Sequence, residues 1–175
     1  MANIDVAAPG ADEAALITAL RNLGFAHVIG QSAVKVSKTG DTSETVMATI
    51  TIPAGAMGPN GALRVTSLWS FTNSGNAKRL RIRLGGIGGT VFFDTNAYTA
   101  QEAAVDLART ITNRNSEASQ VSRGGTSTGA GGTTSIPITG TVDTTVAQDL
   151  VLTCQLSNSG ETINLESYSV ELLVP

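Results

Sequence analysis

The sequence predicts an all-β sandwich with one short helix ahead of it. Beyond residue 30, apolar residues alternate with polar ones at a period of two, and runs of Gly, Pro, Asn and Ser break the alternation at short intervals. Helical spacing occurs near the N-terminus. With 175 residues the chain can bury one good core but not two comfortable ones. The expected organisation is an N-terminal arm over residues 1–30 and a sandwich domain over residues 31–175.

In the segment APGADEAALITALRNLG, Asp12 and Glu13 suit a helix N-terminus, while Leu16, Ile17, Leu20 and Leu23 share one face and Gly24 is a stop signal. This spacing predicts a helix over about residues 11–23. So short a helix is marginal alone, so its stripe must pack on its own domain or on a neighbour.

The strands follow. ETVMATITIP places Val46, Ala48, Ile50 and Ile52 on one face, and Pro53 ends the run before a loop rich in turn formers. ALRVTSLWSFT places Leu63, Val65, Trp69 and Phe71 on one side. TNSGNA then reads as a tight turn into KRLRIRLGG, giving an expected hairpin in which Leu80, Ile82 and Leu84 oppose Arg79, Arg81 and Arg83. TVFFD is a short strand. In AAVDLARTITNRN, Val105, Leu107 and Ile111 alternate with polar residues, and a strand is preferred to the helix that TAQEAAVDLAR would allow, because Thr110–Thr112 is β-branched throughout.

Two closing strands complete the pattern. Leu150, Leu152, Cys154 and Leu156 alternate in one of them. In the other, Ile163 and Leu165 are followed by Tyr168, Val170 and Leu172, a change of parity that predicts a β-bulge near Ser167. About eight antiparallel strands with turns between them make a jelly-roll-like β-sandwich. A Gly/Thr/Ser stretch, RGGTSTGAGGTTSIPITGT, has few side chains to bury and reads as a loop.

Composition narrows function. Charged residues are 14% of the chain against 41% hydrophobic, so the surface is wetted by Ser, Thr, Asn and Gly, and covering it desolvates few ions. A net charge of −3 offers no general attraction to nucleic acid or to an anionic membrane. The charge-free runs at 45–63 and 124–142 contain Pro, Gly and many hydroxyls, so neither reads as a membrane helix. The first ten residues lack a secretory pattern, so synthesis in a host cytoplasm without export is expected.

Chemistry finds little support. His27 is the one histidine, so a multi-histidine metal site cannot form within one chain, and no G-x-S-x-G elbow accompanies it. Cys154 is the one cysteine, which excludes an intrachain disulfide and a cysteine-based zinc site. LGGIGGT invites a phosphate-loop reading, but a strand follows where a helix is required, so a tight β-turn or bulge is expected. The carboxylates are scattered without a signature. No enzyme, cofactor or metal is expected.

The strings TIPAGAMGPNGALRVTSLWSFTNSGNAKRLRIRLGG and TTVAQDLVLTCQLSNSGETINLESYSVELL resemble a β-sandwich module of structural proteins in tailed bacteriophages. The likeness covers about residues 44–174 and rests on I-P-A-G, M-G-x-N-G, L-W-S and E-S-Y-x-V-E-L. It implies a trimeric virion subunit, such as a capsid cement (decoration) protein on the capsid surface, or a head- or tail-fibre module that binds a receptor or glycan. The implied partners are copies of the chain itself and the major capsid protein or another virion protein. Leu16, Leu20, Trp69, Phe71, Arg79, Arg81 and Arg83 are the interface candidates, because aromatic and Arg anchors and an apolar helix stripe are what such contacts use; Trp69 reads equally as core, and the arginines equally as paired with carboxylates across the sheet.

Overall fold

The computed structural model describes residues 26–96, 99, 101–124 and 136–173. Eleven strands lie among them: β1 (His27–Ser32), β2 (Val36–Lys38), β3 (Thr45–Ile52), β4 (Ala62–Phe71), β5 (Lys78–Leu84), β6 (Thr90–Asp94), β7 (Ala104–Asn113), β8 (Gln120–Ser122), β9 (Ile138–Gly140), β10 (Gln148–Leu156) and β11 (Ile163–Leu173). They form two antiparallel sheets. The larger has seven strands in the order β1-β11-β4-β7-β8-β9, with β2 also on β11; the smaller has the order β3-β10-β5-β6. No helix occurs among the described residues, and the one expected over 11–23 lies outside them. The strands beyond the expected eight are short ones, such as β2, β8 and β9, of three residues each. Runs of that length cannot display a periodicity.

The core lies between the sheets. Leu63, Val65 and Trp69 from β4 meet Leu80, Ile82 and Leu152 from β5 and β10, as the alternation dictates. The Trp69 indole N–H donates to Ser67 Oγ at 2.9 Å, so its polar edge is satisfied inside the core. Residues 104–113 are a strand, as their β-branched centre requires.

Bulges set the faces. The register shifts between Leu165 and Ser167 against β4, so Glu166 is the extra residue and the parity change read from the sequence is a β-bulge. A second shift skips Met47 opposite β10 and turns it inward, while Val46 stays 39% exposed. This corrects the expectation that Val46 faces the core. A third skips Phe92 opposite β5, so that Phe92 and Phe93 are both buried.

The expected hairpin between β4 and β5 is not formed. β4 pairs with β11 and β7 in the larger sheet, and β5 with β10 and β6 in the smaller. The 72–77 turn therefore crosses between layers. It is held to another crossing loop, 157–162, by Thr72 N–H to Thr162 O and by Ser157 N–H to Ala77 O, both 3.0 Å. The hairpin of β5 is instead with β6, through LGGIGGT. Gly85 and Gly86 there take φ of +93° and +75°, and both N–H groups donate to Asp149 O. That segment is the β-turn the sequence predicts.

β1 straddles the expected boundary at residue 30. It pairs with β11 from His27 to Ser32, and Gly30 packs so closely on Ile50 that an added Cβ would stand 2.8 Å from its Cγ2. Residues 27–30 thus belong to the sandwich, not to an arm.

Candidate interaction surfaces

Arg79, Arg81 and Arg83 project from the outer face of the smaller sheet. Alone, three like charges at alternate positions of one strand would repel. Two carboxylates answer them. Asp94, opposite Arg81 on β6, accepts from Arg79 Nε at 2.7 Å and Nη2 at 2.6 Å, and from Arg81 Nε at 3.0 Å. Glu44, just before β3, reaches across β10 to Arg83, accepting from Nε and Nη2 at 2.9 Å each, and its Oε2 lies 2.7 Å from Arg81 Nη1. Thr153 donates to Glu44 from below at 2.6 Å, and its side chain is fully buried.

The electrostatics follow from that arrangement. Burial pushes the Glu44 carboxyl up, but hydrogen bonds from Arg83 and Thr153 and the charges of Arg81 and Arg83 outweigh it and hold it at about 2. Burial likewise opposes the charge on Asp94, and the bonds from Arg79, Asn96 N–H and Arg81 override it, so its value is lowered. Arg79 is raised by its bond to Asp94. The arginine stripe is therefore a paired lattice within the chain.

The other interface candidates separate. Trp69 and Phe71 are core residues, 1% and 6% exposed, so neither presents a surface to a partner. Leu16 and Leu20 lie outside the described residues.

The outer face of the larger sheet is a surface that the sequence reading passed over. Across β11, β4 and β7, outward residues stand in rows: Ser167, Leu68 and Asp106; then Ser169, Thr66 and Ala108; then Glu171, Arg64 and Thr110. Gln31 of β1 extends the second row. Ion pairs flank this carpet of short side chains, with Arg64 and Glu171 3.0 Å apart at one end and Lys35 and Glu166 3.5 Å apart at the other. An open groove of about 320 Å³ runs over it, lined by Gln31, Thr66, Leu68, Asp106, Ser167 and Ser169. Leu68 is an exposed apolar residue there, at 36%. The signal was present: the polar half of the alternation in β4, β7 and β11 is mostly Ser, Thr and Ala.

Among the described residues no group of three His, Cys, Asp or Glu side chains is placed to hold a metal. Cys154 is buried, and burial pushes its thiol up to about 12, far from a nucleophile's range. The Ser74 hydroxyl donates to Glu161 at 2.5 Å and accepts from Lys78 at 2.6 Å, but Lys78 is wholly buried and the cluster clips the two crossing loops together.

No protein-family model matches the chain, and no curated protein matches it. Among solved structures, a chain from infectious bursal disease virus, Gx strain, is similar at 14% identity, with a TM-score of 0.43 over 86% of this chain and 32% of its own. The VP2 subviral particle of that virus gives 14% identity and a TM-score of 0.38 over the same shares. Lectin II from Ulex europaeus gives 13% identity and 0.40 over 86% of this chain and 92% of its own. This chain thus spans 32% of the viral chains it matches. Likeness at this level carries no argument about function.

Proposed function

We propose that the protein is a non-enzymatic structural subunit of a tailed-bacteriophage particle, a jelly-roll-like capsid cement protein that associates as a homotrimer and binds the major capsid protein at the capsid surface. It would be made in the host cytoplasm and act in the virion. The observation that carries the self-association is the outer face of the larger sheet. Its Ser, Thr and Ala side chains lose little conformational entropy when covered, and the charges at its two ends are already paired, with the Asp106 carboxylate standing between them. A neighbouring copy that covers such a face strips water from few ions. The phage setting comes from the resemblance of residues 44–174 to virion sandwich modules.

The alternative is a head- or tail-fibre module that binds a receptor or glycan, and the open groove over Gln31, Thr66, Asp106 and Ser169 offers hydroxyl, amide and carboxylate groups to a sugar. Sugar faces are commonly held on an exposed aromatic ring. Of the described aromatic residues, Trp69, Phe71, Phe92 and Phe93 are buried and Tyr168 is half-buried, which favours the cement reading.

The test is binding of the purified chain to emptied capsid shells beside a glycan array. Binding to shells with a silent array is expected. Glycan binding without shell binding would replace the cement reading with the fibre one.

A further inference from the structure

A sheet edge presents a row of N–H and C=O groups ready to pair with another strand, and proteins blunt such edges with brevity, charge, proline or bulges. Several edges here are blunted. β2 and β9 have three residues each, β6 has five with Asp94 at its end and a bulge at Phe92, and β1 breaks register near Ile29.

β3 differs from them. It is eight residues long, TVMATITI, with no charge and no proline, and it ends the smaller sheet. It pairs with β10 on one side, and among the described residues no hydrogen bond reaches the peptide groups on its other side. Its one irregularity, the bulge at Met47, lies near its start and leaves Ala48–Ile52 regular.

That regular segment is self-complementary. Its register against Leu152, Leu150 and Gln148 puts Ala48, Ile50 and Ile52 on the core side and Thr49 and Thr51 on the solvent side. Antiparallel pairing centred on Ile50 sets Ala48 against Ile52 of a second copy and Thr49 against Thr51. Apolar then meets apolar on one face, and threonine meets threonine on the other. No charges are opposed. A slip of one residue would place threonine beside isoleucine along the whole segment, so the register is specified.

We propose that β3 pairs antiparallel with β3 of a second copy about a two-fold axis, continuing two four-stranded sheets as one. This deepens the self-association reading and rests on it. A two-fold contact cannot close a trimer, so it joins one trimer to the next, and the three-fold contact uses other surfaces.

The experiment is hydrogen–deuterium exchange of the β3 amides in the full chain, at low and high protein concentration. Exchange within Thr45–Ile52 is expected to slow by about an order of magnitude on concentration. Thr49→Glu should abolish the slowing while circular dichroism stays unchanged, because the new carboxylate would face Thr51 of the second copy, where the Asp149 carboxylate already accepts a hydrogen bond. A mixture of Thr49→Cys and Thr51→Cys chains should form mixed disulfides in preference to like-with-like ones. A trimer whose β3 exchange is independent of concentration, with no preferential mixed disulfide, overturns this inference and leaves the assembly reading standing. A chain that is monomeric at every concentration overturns both.

Discussion

Lys78 and Glu161 form an ion pair inside the protein, with Nζ 3.3 Å from Oε2 and with 0% and 7% of the two side chains exposed. The pair ties the start of β5 to the loop between β10 and β11, where two of the chain's crossings between the layers lie side by side. Lys78 also donates to Ser74 O at 3.1 Å and lies 5.9 Å from the Phe71 ring centre. Removing Lys78 alone leaves a carboxylate without its cation. Lys78→Met should therefore cost about 3–5 kcal/mol in urea denaturation, and Lys78→Met/Glu161→Leu should regain most of it. Equal losses in the single and double variants would show that the pair itself is unimportant.

Acid should unfold the protein partly through Glu44. Its folded value of about 2 lies below its ordinary 4.5, so the unfolded chain takes up the proton first as pH falls. The stabilisation is complete above about pH 4.5 and is lost as pH falls through about 2. With 21% of the Glu44 side chain exposed, solvent screening reduces the contribution to about 1–2 kcal/mol. Glu44→Gln should flatten the acid limb of a stability-against-pH curve between those values and lower the plateau above it. An unchanged limb would remove Glu44 from the acid response.

Trp69 should behave as core rather than as contact. Trp69→Phe removes the indole N–H that Ser67 accepts, and it should cost about 1–3 kcal/mol from the lost bond and the space left behind. Thermal melting reads the loss, and sedimentation should show the same oligomer as the unaltered chain. Dissociation without destabilisation would return Trp69 to the interface.

Cys154 should resist thiol reagents. Its thiol stays protonated at neutral pH because burial pushes it up to about 12, and its side chain is closed to solvent. Alkylation should be negligible in the folded protein and complete in denaturant. Rapid labelling without unfolding would mean that β10 opens locally.

The fold class was legible because the inward positions of β4, β5 and β10 alternate cleanly, and the bulge at Glu166 because it flips the parity of a long strand. The bulge at Met47 was hidden. Val46, Ala48, Ile50 and Ile52 make an ideal alternation, and Met47 is apolar enough to take the buried place. The layer crossing after Phe71 was equally hidden, since a turn rich in Asn, Ser and Gly serves a hairpin or an arch alike. What decides is that β4 already has β7 and β11 as neighbours.

The arginine stripe was legible as a stripe, but its partners were not. Asp94 lies 15 residues from Arg79, and Glu44 lies 39 from Arg83. Only the assembled sheet brings Glu44 over Thr153. The outer face of the larger sheet was missed for a related reason: it is built from the polar halves of three separate strands.

The central claim is that this sandwich is a subunit that associates through a lightly charged sheet face of short side chains. Sedimentation velocity of the full chain and of its Leu68→Glu variant, over a wide concentration range, tests it most directly. The account predicts that the unaltered chain sediments as a trimer, with trimers joining at high concentration, and that the variant loses the trimer to a folded monomer or β3-paired dimer, because its carboxylate would be buried without a partner on that face. A chain that sediments as a monomer at every concentration, or a variant that remains trimeric, would contradict it.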